Sequence, residues 1–344
     1  MILPKWIKIT DKINPQILGL IENTFLGSRG ARYRLLNTKK RAAELDHPKF
    51  LYIERNNIAI GNITLCNRIT LDVSENYIRY FAFDKRFRSN KDQQKKRKPE
   101  QSILKRFFGS VMDRDVFEIN SNYCYYAFVD DHNFKSMNMA DQFGFQKIGS
   151  FRTTSFSRNK PKSRLAIREL TQSELEEYSK KLESTYNSYN FYHPTNIVKG
   201  KVFGYFQEEN MIMAATFHPT KWSIQAMPGK NGELKIALLS KMPILKSFFK
   251  NKELNFLGVE GIVTEKYELS NVFFESVLFE MNYKCAMIWS DISCTIFKKL
   301  EQNLSKGILA RFSKQEDANI IVKHNMEISR YLNNPTYISS YDIS

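Results

Sequence analysis

Two stretches of this chain follow one local design: LYIERNNIAIGNI at residues 51–63 and GYFQEENMIMAAT at residues 204–216. Each alternates apolar and polar residues, breaks at a short polar turn centred on an Asn, and resumes the alternation, which is the period-two pattern of a β-hairpin. Tyr52 corresponds to Tyr205, Asn57 to Asn210, and Ile58 and Ile60 to Met211 and Met213. The surroundings correspond too. A strand (WIKIT; RLAIREL) and a helical segment (NPQILGLIENTF; TQSELEEYSKKLESTY) precede each hairpin, and the second helix opens on a Thr171/Glu174 capping box. After each hairpin come a strand (NYIRYFAF; LNFLGVEGIV), an amphipathic helix (SILKRFFGSVMD; LSNVFFESVLFEM), another strand (YCYYAFV; KCAMIWS) and another helix.

A repeat of this length fixes the architecture as a degenerate tandem of β-α-β-β-β-α-β-α-β units. The strand-helix-strand crossover in each unit predicts a parallel pair inside an otherwise antiparallel sheet. The boundary falls near the basic, proline-containing SRNKPKSR (157–164), which predicts an N-terminal domain over 1–160 and a C-terminal domain over 161–344. The 42% hydrophobic content is enough to bury two sizeable cores.

No apolar run reaches the roughly 20 residues that span a bilayer, and MILPKWIKITDKINPQ lacks the apolar core of a secretory signal, so a cytoplasmic location is expected. Cys66, Cys124, Cys285 and Cys294 are scattered through apolar surroundings without C-x-x-C spacing, which predicts buried free thiols. The His residues are as dispersed, and no metal centre is expected. The net charge of +16 invites a phosphate-rich partner, and much of it lies in KRFRSNKDQQKKRKPEQSILKR (85–106). That stretch reads as a solvated basic loop or as an anion-binding face. No zinc finger, helix-turn-helix or RNP signature points to nucleic acid specifically.

DHNFKSMNMADQFGFQKIG (131–149) sharpens the reading: Asn133 closes a strand, a short helix follows, and Gly144 and Phe145 stand eleven and twelve residues after the Asn, before a new strand. With the element order, this spacing resembles the GCN5-related N-acetyltransferase (GNAT) superfamily. The resemblance implies tandem α/β GNAT-like folds, each a mixed, mostly antiparallel sheet flanked by helices. It also implies acyl-CoA-dependent N-acyl transfer to an amine. In that family the pantetheine of acetyl-CoA enters between splayed strands 4 and 5, and the pyrophosphate rests on a helix N-terminus. Carried over by position, CoA would meet the backbone at Phe83, the Arg88 side chain, the amides around Ser102 and the Asn133 side chain.

The departures are specific. The family's phosphate loop, V-x-P-x-Y-R-G-x-G-x-G, is matched at its start by Phe83, Phe87 and Arg88, but its glycines are replaced by the basic insertion. In the second half, VTEKYELSNVFFESVL (263–278) keeps Val263 and Tyr267 but has Glu268 in place of the Arg. A carboxylate there repels phosphate, so the second half is expected to shape an acceptor groove or pack against the first. Ala140 occupies the position of the family's acidic Tyr. The candidate bases are Asp130 and Asp131, at the end of strand 5, and Glu260, on strand 4 of the second half; each is weighed against an ordinary solvated or capping carboxylate. Arg79 and Arg88 bracket the expected splay, where each meets either an anionic ligand or a surface carboxylate. The two His-Pro pairs, at 193–194 and 218–219, read as turns. Two other functions stay open: a catalytically degenerate GNAT-like binding protein, and a transferase that uses aminoacyl-tRNA as donor.

Overall fold

The computed structural model describes residues 6–27, 31–69, 72–84, 103–113, 115–117, 121–227, 231–239, 242–311 and 317–343. The first half runs β1 (Ile7–Thr10), α1 (Pro15–Glu22), β2 (Arg32–Leu35), α2 (Thr38–Ala43), β3 (Pro48–Arg55), β4 (Ile58–Ile69), β5 (Ser74–Phe83), α3 (Ile103–Met112), β6 (Tyr123–Asp130), α4 (Phe134–Gln142) and β7 (Gln146–Ser157). The second half repeats the order: β8 (Ile167–Glu169), α5 (Gln172–Tyr186), a 3-10 turn (Pro194–Lys199), β9 (Lys201–Gln207) and β10 (Asn210–Ala226). Next come α6 (Gly232–Leu239), α7 (Pro243–Lys246), β11 (Phe249–Lys250), β12 (Glu253–Thr264), α8 (Ser270–Glu280), β13 (Cys285–Asp291), α9 (Thr295–Asn303) and β14 (Asp317–His324). Two short helices, α10 (Ser329–Leu332) and α11 (Ser340–Ile343), end the described chain.

Both repeated hairpins form. β3 and β4 are joined by Asn56 and Asn57, at φ 51° and 59°, the left-handed pair of a hairpin turn whose twist matches the flanking strands. In the second hairpin Gln207 pairs with Asn210, so the turn is Glu208–Glu209 and Asn210 opens the strand. The Thr171/Glu174 capping box is present, with the Thr171 N–H donating to Glu174 Oε2 at 2.8 Å. Gly144, at φ 78°, ends α4 in the left-handed region, and the Phe145 N–H folds back to donate to the Ala140 carbonyl at 3.1 Å. All four cysteines are free and buried. Among the described residues, no helix is long and apolar enough to cross a membrane.

The His-Pro reading needs one correction. His193 does precede a 3-10 turn, but His218 and Pro219 lie inside β10. β9 pairs with β10 only as far as Phe217, and β2 takes up that edge at Trp222. Pro219 therefore sits in the gap between two neighbours, where a missing N–H costs no ladder bond.

The parallel pairs are β5 with β6 and β12 with β13. Rather than forming separate sheets, the described strands join in one 14-stranded sheet of order β1-β3-β4-β5-β6-β14-β7-β13-β12-β10-β9-β8, with β11 on β12 and β2 on β10. Its centre is an exchange: β14, from the end of the chain, lies between β6 and β7, while β7 reaches across to β13. Backbone ladders thus carry the contact between the halves, and the floor of the first half runs without a break into the second.

Because each half lacks a central strand without the other, the chain should unfold in one transition, with calorimetric and van't Hoff enthalpies in agreement. Residues 1–160 expressed alone should aggregate through the exposed edges of β6 and β7; a soluble fragment with native circular dichroism would contradict the shared-strand account.

Candidate active site

β5 and β6 pair only over Ser74–Tyr77 and Tyr123–Tyr126. On its other side β5 carries a bulge: Leu65 faces Ile78 and Thr64 faces Tyr80, which leaves Arg79 as the extra residue. A bulge bends and overtwists its strand, and here it turns β5 away from β6. The gap opens into a cavity of 460 Å³, walled by Tyr77–Phe81 on one side and Ala127–Asp130 on the other. Phe108 of α3 and Asn133, Ser136, Met139 and Ala140 from the α4 end close it on one face of the sheet. It continues over Phe151 of β7 towards Met287, Trp289 and Trp222 of the second half. A gap between two strand edges suits an extended, amide-bearing ligand, which can enter as an added strand.

Arg79 is buried at the bulge. Its Nη1 donates to Asp342 Oδ1 at 3.0 Å and its Nη2 to the Tyr341 carbonyl at 2.8 Å. Asp342 also accepts from Arg68 Nη2 and, at 3.0 Å, from Asn196 Nδ2, while Arg68 Nη1 donates to the Tyr126 hydroxyl at 2.9 Å. Burial by itself would raise the Asp342 carboxyl; Arg68 and Arg79 outweigh it and hold the carboxyl below its usual range. Nearby, burial lowers the pKa of His193, against the opposing pull of Glu75, whose Oε2 lies 2.9 Å from His193 Nε2. The end of the chain is thus fastened to both the bulge and the parallel pair.

The second half has the same split, but it is filled. β12 pairs with β13 only over Leu257–Val259 and Ala286–Ile288, and a register break against β10 accompanies Gly261 at φ 63°. A Cβ added to Gly261 would lie 2.4 Å from the Tyr178 hydroxyl, so this position needs glycine. Tyr178 donates to the Gly261 carbonyl at 2.6 Å and Tyr186 to the Ile262 carbonyl at 2.7 Å. The Thr336 N–H donates to Asp291 Oδ2 at 2.9 Å, and the Tyr337 hydroxyl to Glu260 Oε2 at 3.3 Å. A pocket of only 40 Å³ remains there.

The structure brings Asp130 and Asn133 together on the open cavity. Asp130 Oδ1 accepts from the His132 N–H at 2.8 Å; Asn133 caps α4, accepting from the Ser136 N–H at 3.3 Å. Asp131 lies beside the site and accepts from Asn319 Nδ2 at 3.2 Å. The Phe83 side chain is in the core behind the cavity, edge-on to Phe107. Glu260 belongs to the filled split, where it approaches His218 Nε2 to 2.6 Å as a bent contact and not an aligned hydrogen bond. Arg88 and Ser102 lie outside the described residues. Arg79 is not on the surface: its side chain is buried in an ion pair with Asp342 at the cavity wall. Sequence reasoning did not find Asp342, Tyr33, Trp222 or Trp289. Asp342 stands in the aperiodic YISSYDIS, and the aromatic residues look like ordinary strand core.

No family model and no curated protein matches the sequence. Solved structures show the fold. N-myristoyltransferase of Saccharomyces cerevisiae with bound myristoyl-CoA superimposes with a TM-score of 0.56 at 8% identity, over 95% of this chain and 81% of that one. The same yeast enzyme with myristoyl-CoA and inhibitors gives 0.52 at 9% identity, over 95% and 82%. A GCN5-related glucosamine N-acetyltransferase region in a fungal multi-domain β-N-acetylglucosaminidase gives 0.54 at 9% identity, over 94% of this chain and 38% of that one. The chain therefore has the two-lobed GNAT and N-myristoyltransferase fold.

Replacing Asp342 by Ala leaves Arg68 and Arg79 buried without their carboxylate, and should cost about 3–5 kcal/mol in urea unfolding. The depressed carboxyl pKa sets the sign with pH. Its contribution is fully present above the unfolded carboxylate value near 3.9 and is lost as pH falls below it. The gap between wild type and variant should be flat from about pH 7 to 5 and close under acid; a gap that widens on acidification would rule this out.

Proposed function

We propose that this chain is an acyl-CoA-dependent N-acyltransferase that takes one acyl-CoA into the split between β5 and β6 and transfers the acyl group to an amine. The observation that carries the reading is the asymmetry of the two splits: the first opens into 460 Å³, and the second is filled by the chain's own tyrosines. The pantetheine would lie between the strand edges, with its thioester near the Arg79 bulge. Phosphates would meet the Arg88 side chain and the backbone amides around Ser102, both assigned from the sequence.

An alkyl amine with a pKa of about 10.4 must lose a proton before it attacks. Asp130, at the end of β6 on the cavity wall, is our choice of base. The new N–C bond forms at the thioester carbonyl, the C–S bond breaks, and CoA leaves as the thiolate. With Ala140 in place of a phenol, protonation of that thiolate falls to solvent. Acetyl-CoA is the donor suggested by the GNAT resemblance. The yeast neighbour carries myristoyl-CoA, so both donors belong in the test.

Calorimetric titration should give one acyl-CoA per chain. Ala127→Trp, which fills the split, should abolish binding, and no heat at millimolar concentration of either donor would end the proposal. Asp130→Asn should lower kcat at least 100-fold, the scale of general-base catalysis, with little change in KM for acyl-CoA. A second reading has its own support: Ala140 and the missing glycine loop favour a protein that binds acyl-CoA without turnover. Stoichiometric binding with no acyl transfer to any primary amine would select it.

A further inference from the structure

One end of the second half gathers positive charge together with exposed apolar side chains. Residues 221–253 hold seven lysines, no arginine and two carboxylates, and one of those carboxylates, Glu253, is taken by Lys221 at 2.6 Å. The long surface helix α5, by contrast, mixes four glutamates with two lysines, the ordinary solvated pattern. Part of the +16 net charge therefore lies in this stretch, outside 85–106.

Backbone bonds draw these residues together at the end of β10. The Met227 N–H donates to the Gly232 carbonyl at 3.0 Å, which ties the start of α6 to β10, and the Ile224 N–H donates to the Lys252 carbonyl at 2.8 Å. β2 flanks the same strand end and sets Arg32 opposite Ala226. α6 and α7 turn Ile236 and Leu245 inward, onto the core that holds Trp222 and Phe249. They leave Leu234 58% and Met242 49% exposed, and Lys235, Lys246, Lys250 and Lys252 are exposed as well. The Lys246 N–H donates to the Met242 carbonyl at 2.7 Å, so that lysine stands one turn from Met242.

Water solvates the lysines, but it gains nothing from a leucine and a methionine held out among them. A bilayer with anionic lipid suits both: phosphates attract the ammonium groups, and the apolar side chains and lysine stems sink towards the boundary of headgroup and acyl chain. Nucleic acid would suit only the charge. Trp222, Phe248 and Phe249, the aromatic residues of this stretch, are all buried and offer bases no stacking platform.

We infer that this end of the chain docks on a bilayer surface rich in anionic lipid, with Leu234 and Met242 among the headgroups and Lys246, Lys250 and Lys252 on their phosphates. The contact is peripheral, made by short helices and a hairpin turn, and it does not depend on acyl transfer. Met227 and Phe249, from the same elements, also line the open cavity, so docking sets one end of that cavity towards the membrane.

The full-length chain is sedimented with vesicles of phosphatidylcholine and phosphatidylglycerol in equal parts, and with phosphatidylcholine alone. Binding should require the anionic lipid and should fall at least tenfold as salt rises from about 0.1 M to about 1 M, where the Debye length shortens from about 10 Å to about 3 Å. Lys246→Ser, Lys250→Ser and Lys252→Ser together should weaken it about a hundredfold, close to fivefold per charge, whereas Lys→Arg at the same three positions should retain it. Leu234→Ser with Met242→Ser should weaken binding at least tenfold and leave the salt slope unchanged. These five side chains are exposed, so each variant should keep the wild-type urea midpoint. Equal binding to phosphatidylcholine alone would overturn the inference. So would a triple lysine variant that binds like wild type while replacement of Lys95, Lys96, Arg97 and Lys98 by Ser abolishes binding, since the charge would then act from 85–106. Polyuridylate binding that is tighter than vesicle binding, lost in the triple lysine variant and indifferent to Leu234→Ser would give the face to nucleic acid and overturn it too.

Discussion

One buried carboxylate holds the parts of the site in register. Asp342, on the last described helix, takes hydrogen bonds from Arg68 on β4, Arg79 on β5 and Asn196 in the turn of the second half. Arg79 is the bulge residue whose extra length opens the first split, so the charge pair fixes the strand where the cavity begins. Two buried guanidinium groups without that carboxylate would face a desolvation cost of several kcal/mol. The same segment reaches back to the second split, where the Tyr341 N–H and the Tyr337 hydroxyl donate to Glu260. A short piece of chain therefore fills one split and anchors the mouth of the other.

The tandem has divided its labour. Both halves retain the parallel pair, the bulge and the diverging strands, because these follow from a conserved element order within the chain. In the second half Tyr178 and Tyr186 donate to the carbonyls that a ligand would otherwise meet. What that half contributes instead is wall: the exchange of β7 and β14 brings β13, β12 and β10 alongside the first split. The continuous floor lets residues of both halves line a single cavity.

Much of the architecture was legible in local pattern. The hairpins announce themselves by period-two alternation and polar turns, the capping box by Thr171 and Glu174, and the end of α4 by Gly144, since each depends on residues a few positions apart. The site was legible only in part. Asp130 and Asn133 could be placed on the split because they follow a strand end at a recognisable spacing, while Arg79 reads from the sequence as an exposed charge. Its partner is 263 residues away, and no local signal connects them. His218–Pro219 misled for a related reason: a proline inside a strand is acceptable only where a neighbour is missing, and that gap is a property of the sheet.

The sequence by itself determined the two repeated hairpins, the strands and helices that follow them, and the two crossovers that force a parallel pair in each half, all set by short-range sterics and hydrophobic periodicity. Only the tertiary structure decided which split stays open, that β14 stands between β6 and β7, and that residues from both halves line a single cavity. Those outcomes depend on strand pairing and buried charge between residues far apart in the chain, where burial and hydrogen-bond satisfaction select the partners.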